Sequence, residues 1–279
     1  KLCDSINLRM SLMKKLLFLF CLLSWSVLHA QKTINRPPFI AKATETIEIA
    51  AVHLSDTATV IDVDAKFTPK YWIRIAPATC LVADNGERYQ VRQGVGIELG
   101  QEFWMPESGE ATFSLIFPPL PPSVKSFDFV EGEGERDFNL FGISLTGKLP
   151  KLQLPKGLEK AGKMTAVALP TPEIKEGTAI ISGRILDYKP SFRMKAELHS
   201  ADFLSPYGQK NTELELDEVG NFQTEISVSH PSVAYLSVGG SVVSFLLSPG
   251  GETKVTVNLR EMTRASSRLQ KDTKAEGKK

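Results

Sequence analysis

The stretch FDFVEGEGERDFNLFGISLTG (residues 127–147) decides how the first half of the chain is read. Five carboxylates, Asp128, Glu131, Glu133, Glu135 and Asp137, crowd around Gly132 and Gly134, with aromatics on both sides. A metal loop, a catalytic carboxylate pair and a plain hairpin are the alternatives. A helix–loop–helix calcium site needs oxygen ligands at alternate positions, a central glycine and a closing bidentate glutamate, and no such frame fits 128–139. A hydrolytic pair needs a cleft and one carboxyl with a raised pKa. Carboxylates on a glycine turn are expected to be solvated and ordinary. The alternating aromatics instead predict two strands, Ser126 to Val130 and Phe138 to Leu145, joined by an exposed Gly-Glu turn.

The same period of two continues outward. Ile61, Val63, Ala65 and Phe67 share one face, and Asp62, Asp64 and Lys66 the other, as a half-buried strand requires. Tyr71, Ile73 and Ile75 repeat the pattern. Asp84-Asn85-Gly86 is a tight-turn signal, because Asn and Gly accept positive φ. Phe113, Leu115 and Phe117 alternate with Thr112, Ser114 and Ile116. PPLPP (118–122) has few backbone donors and reads as an edge or rigid crossover. These strands predict a sandwich domain over 33–148.

Residues 149–177 carry four prolines and a run of lysines, the composition of a linker. A second small sandwich is expected over 178–258, with strands in AIISGRIL, FRMKAELHSADF, TELELDEVGNFQTEISV and VVSFLL. The expected fold class is therefore all-β: two antiparallel, Ig-like β-sandwich modules joined by a Pro/Lys-rich linker.

The ends read differently. Residues 1–12 look like an upstream extension. From Met13, Lys14 and Lys15 lead into a short apolar run that closes at Ala30, the pattern of a signal peptide over 13–30. That run falls short of the roughly 20 residues of a membrane span. Export to the periplasm or cell envelope is expected, with no membrane span after cleavage. Residues 259–279 form a charged, partly helical tail, with Leu259, Met262, Ser266 and Leu269 at roughly helical spacing.

The net charge of +1 gives no electrostatic case for nucleic acid. Cys80 is the one cysteine beyond the signal, so neither an internal disulfide nor a Cys-x-x-Cys dithiol can form. A small buried core residue is its expected role. His53, His199 and His230 have no telling spacing. Gly94-Val95-Gly96 precedes no helix pattern, and no Gly-x-Ser-x-Gly elbow occurs. No catalytic residue, metal ligand or cofactor site emerges. The candidate binding surface is Trp72 with Trp104, as a stacking platform; core or rim packing is the alternative for each.

YWIRI, EFWMPESGEATFSLIFPPLP and SFDFVEGEGERDFNLFGISLTG together resemble the N-terminal β domain of secreted, TlpA-like thiol–disulfide oxidoreductases. GRILDYKP, LDEVGNFQTEI and FLLSPGGETKVTVNL are similar to the small sandwich that precedes the thioredoxin domain in such chains. The resemblance covers nearly all of 33–270. It implies a non-catalytic accessory region, expected to be that of a truncated product, that positions or recruits an envelope protein or a C-terminal thioredoxin-like domain. A stand-alone glycan- or peptide-binding envelope protein is the rival expectation.

Overall fold

The computed structural model describes residues 32–132, 134, 137–156, 158, 174–202, 206, 208–265 and 267–269. The expected upstream extension and signal peptide, most of the expected linker, Glu133, Glu135 and the end of the tail lie outside the described residues.

The chain is an all-β protein built as two sandwiches. In the first, one sheet runs β1 (Lys32–Asn35), β3 (Ile47–Leu54), β4 (Thr59–Lys66), β10 (Glu110–Phe117) and β8 (Gln93–Val95). The facing sheet runs β2 (Ala41–Lys42), β12 (Asn139–Ser144), β11 (Ser126–Val130), β6 (Cys80–Ala83) and β7 (Arg88–Gln90). A separate ribbon pairs β5 (Trp72–Ile73) with β9 (Phe103–Trp104). Alternation sets the core: Ile61, Val63 and Ala65 on β4 meet Phe113, Leu115 and Phe117 on β10, against Leu81, Phe127, Phe129, Leu140 and Ile143 of the other sheet. Asp62, Asp64 and Lys66 take the outer face. PPLPP lies between strands, as its missing donors require.

The opening stretch forms β11, the turn and β12. The pair is irregular: Phe127 faces Ile143 and Phe129 faces Leu140, so Phe141 and Gly142 together oppose Asp128. This is a β-bulge. Gly142 has φ +64°, and a Cβ there would meet Ile40 at 2.6 Å, so glycine is required.

In the second sandwich, β16 (Asn221–Val228), β13 (Gly177–Leu186) and β19 (Glu252–Asn258) face β15 (Gln209–Glu213), β14 (Ala196–Ala201), β17 (Ser232–Val238) and β18 (Ser241–Leu247). Pairing is antiparallel throughout except between β13 and β19, which run parallel. The Ser248–Gly251 turn carries the chain from one sheet to the other, so β19 arrives beside β13 in the same direction.

The two sandwiches share apolar contacts. Ile40, Ala41 and Phe141 of the first belong to the core of the second. Phe141 stacks on Phe192 at 4.6 Å between ring centres. The described part of the tail is helical over Leu259–Ala265 and largely packed against the protein. Helix α1 (Leu259–Ala265) packs on β2, β18 and β19, with Leu259 and Thr263 fully buried. Arg260 bonds Asp187 of the second sandwich and, at 2.8 Å, the carbonyl of Pro150. Arg264 lies over the Phe39 ring and Arg268 over the Phe67 ring, each 5.6 Å from the centroid. No described helix is long and apolar enough to cross a membrane.

The innermost contact of this clasp is ionic. Lys42 on β2 has a fully buried side chain, and its Nζ donates to Glu48 Oε1 at 2.9 Å. Ser267, beyond α1, donates to the same oxygen. Burial pulls the Lys42 pKa down. Burial works to raise the Glu48 pKa, but the bonds from Ser267 and Lys42, with the Lys42 charge, outweigh it and hold the carboxyl below its ordinary value.

Lys42→Met strands Glu48, and urea unfolding should show a loss near the lower end of the about 3–5 kcal/mol typical of a broken buried pair. Adding Glu48→Met should restore most of it. Because the Glu48 pKa is depressed on folding, its contribution is present above its ordinary value of 4.5 and lost as pH falls through the lower folded value. The fall in stability from neutral to acid pH should accordingly be smaller in the double Lys42→Met, Glu48→Met chain, which leaves no unpaired buried lysine.

Candidate functional site

Trp72 and Trp104 come together. They are direct cross-strand partners on the β5–β9 ribbon, with Ile73 opposite Phe103. The ribbon is held by Met105 N–H to Tyr71 C=O at 2.8 Å and Lys70 N–H to Met105 C=O at 3.2 Å. Its inner face is Ile73, Met105 and Phe103, and Phe103 packs on Phe113 of β10. With the apolar residues spent inward, alternation turns the tryptophans out. Trp72 is 43% exposed and Trp104 60%, beside Tyr71 at 63%. Tyr71 therefore does not share a face with Ile73 and Ile75. The strand starts only at Trp72, after Lys70 at φ 62°. Trp72 and Trp104 are paired exposed aromatics, with Tyr71 next to Trp72 in the chain, unlike scattered surface apolar residues. Large rings with a polar edge and few rotors lose little entropy on binding.

The acidic stretch is less solvated than its sequence implies. Glu131 is buried, with its Oε1 accepting from Ala76 N–H at 2.8 Å and its Oε2 from Phe138 N–H at 2.7 Å. Its own N–H donates to Asn139 Oδ1 at 2.9 Å. Burial pushes its pKa up, against these two backbone bonds. Glu131 thus pins the turn to the 76–79 segment. Asp128 is half-buried, accepts from Gly142 N–H at 2.6 Å, and has its pKa raised by burial. Among the described residues no group of three metal-ligating side chains converges.

Cys80 is buried, but on the side of its sheet away from the sandwich core. Leu81 and Ala83 point into the core, so Cys80 and Val82 point the other way. Arg88 covers it, with Nη2 3.1 Å from Sγ. Burial raises the thiol pKa despite the guanidinium, which leaves little thiolate for attack. Val82, Val130 and Arg88 on this face, with Asp128, line a cleft of about 730 Å³. Its other wall comes from the second sandwich, through Phe192–Lys195 and the Gly239-Gly240 turn.

His53 sits within a polar row that sequence spacing did not reveal. Its Nδ1 is 3.0 Å from Thr33 Oγ1, and its Nε2 is 2.8 Å from Asp62 Oδ2. Ser114 donates to Asp62 Oδ1 at 2.7 Å. Burial opposes ionisation of Asp62, but these bonds and the His53 charge hold its pKa down. The order hydroxyl–imidazole–carboxylate matches an activated nucleophile. It lies, however, across β1, β3, β4 and β10 on an open outer face, where direct pairing of Thr33 with His53 and Ser114 with Asp62, and a diagonal contact of His53 with Asp62, account for it.

No protein-family model matches the chain, and no curated protein matches it. Among solved structures, the type I pullulanase of Bacillus subtilis complexed with maltose aligns at 7% identity and a TM-score of 0.23, over 76% of this chain and 24% of its own. The TIE protein of Bacillus anthracis aligns at 9% identity and 0.20, over 83% and 40%. The pullulanase SAP of Group B Streptococcus aligns at 11% and 0.19, over 66% and 21%. The chain thus spans less than half of each of these proteins. Likeness at this level carries no argument about function.

Glu131→Gln replaces one acceptor oxygen by an amide that faces an N–H. Leaving a buried donor unsatisfied costs about 1–3 kcal/mol, so denaturant unfolding of Glu131→Gln should show a loss in that range. A loss no greater than that of an exposed Glu98→Gln control would remove Glu131 as the pin of the turn.

Proposed function

We propose that this chain is a non-catalytic binding and positioning region of an exported, cell-envelope protein. The observation that carries this reading is the Trp72–Trp104 pair, set side by side and outward on a ribbon whose other face is fixed in the core. Flat aromatic faces at adjacent positions suit a glycan ring or an extended peptide. The raised pKa and covered position of Cys80 argue against thiol chemistry in this region.

A second reading, from the sequence strings described above, is an accessory region that positions a TlpA-like thioredoxin domain. Any redox chemistry would then belong to that domain. The coding sequence after Lys279 tests it. An in-frame Cys-x-x-Cys domain supports the accessory role, and an immediate stop codon counts against it.

Immobilised glycan and peptide arrays probed with residues 31–279 test the binding role. For a ligand so found, Trp72→Ala or Trp104→Ala should each weaken binding by about 2 kcal/mol, roughly thirtyfold, as for aromatic hot spots. Stability should change by about 1 kcal/mol, the upper worth of a cross-strand aromatic pair, because both rings are partly exposed. Binding that survives both substitutions would sink the platform reading.

A further inference from the structure

The cleft between the sandwiches has a chemistry of its own, independent of the aromatic ribbon. Its charged lining is balanced by count but not by engagement. Arg88 is bonded to Cys80, and Arg193 and Lys195 already take part in interactions of their own. Glu131 is used by the Ala76 and Phe138 amides, and Glu197 lies 3.7 Å from the His199 ring. What remains is Asp128, on which the Lys189 charge acts without an ion pair forming. Its Oδ1 accepts from Gly142, and among the described residues no donor reaches its Oδ2. A half-buried carboxylate held by one backbone N–H keeps an open acceptor at the cleft surface, which a cationic donor can take.

The surroundings specify more. Val82 and Val130 flank Asp128 on its own sheet face, and the stacked Phe141 and Phe192 border the cleft. Such walls suit an aliphatic stem that ends in a cation. Lys189 already holds its ammonium 5.7 Å from the centre of the Phe192 ring, so that ring accommodates a positive charge. At the rim, Gly240 has open space where a side chain would stand, which leaves its backbone open to a second chain. The volume lies within the range of ligand sites, and junctions between domains are a favoured place for them.

We propose that this cleft binds an extended peptide segment by taking one of its lysine or arginine side chains onto Asp128. The stem runs along Val82 and Val130, and the peptide backbone crosses the Gly239-Gly240 turn.

The test is a titration of the full chain with acetyl-Gly-Lys-Gly amide, followed by amide ¹⁵N–¹H spectra, with the norleucine and glutamate peptides as controls. The lysine peptide should move the Gly142, Gly239 and Gly240 signals, and the two controls should leave them in place. Asp128→Asn keeps an oxygen for Gly142 but removes the charge, and should weaken binding at least tenfold. Should that variant fail to fold, Val82→Lys sets an ammonium beside Asp128 from the paired strand and should abolish binding. Trp72→Ala and Trp104→Ala should have no effect, which separates this site from the ribbon. Equal shifts with all three peptides, no shifts at millimolar peptide, or undiminished binding by the folded variant would overturn the proposal.

Discussion

A single buried ammonium organises the junction of the two sandwiches. Lys42 sits on a two-residue strand whose other member, Ala41, belongs to the core of the second sandwich. Its charge has no exposure to solvent and must be satisfied within the protein. Glu48 satisfies it from the neighbouring sheet, and Ser267 completes the carboxylate from the far end of the chain. Three segments distant in sequence therefore meet at one ion pair. Around it, Arg260, Arg264 and Arg268 fasten the tail to Pro150, Phe39 and Glu45. The clasp brings Phe141 onto Phe192, and the cleft is the space left beside that stack.

Much of the fold was legible because burial contrast follows a period of two. The strands at 60–67 and 112–117 alternate charged or hydroxyl residues with large apolar ones, and the structure buries the apolar set. The Gly-Glu hairpin was legible as a hairpin. Its bulge at Gly142 was not, because Ile40, whose side chain crowds that position, is distant in sequence. The tail read as helical from its spacing, yet its burial depends on Glu48, 219 residues away from Ser267, and no local pattern encodes such a contact.

The functional surfaces were legible in residue type and not in placement. Trp72 and Trp104 stood out as candidates, but two-residue strands give too short a pattern to say which face is outward. Cys80 was expected to be buried, and it is. Which side of the sheet it occupies was hidden because Cys80, Leu81, Val82 and Ala83 are all apolar and offer no contrast. Glu131 was misread as solvated. Glycine neighbours suggest exposure, whereas its burial comes from Ala76, 55 residues earlier. Ribbon and cleft alike arise where the regular alternation breaks off, and such places are the hardest to read from periodicity.

With the clasp in place, the two sandwiches should unfold as one cooperative unit and the cleft should keep a fixed shape. Scanning calorimetry of the intact chain and of a chain ended at Asn258 measures this. A single transition, with equal calorimetric and van't Hoff enthalpies, is expected for the intact chain, and two separated transitions for the shortened one. Two resolved transitions in the intact chain, or no change on removing α1 and Ser267, would contradict it.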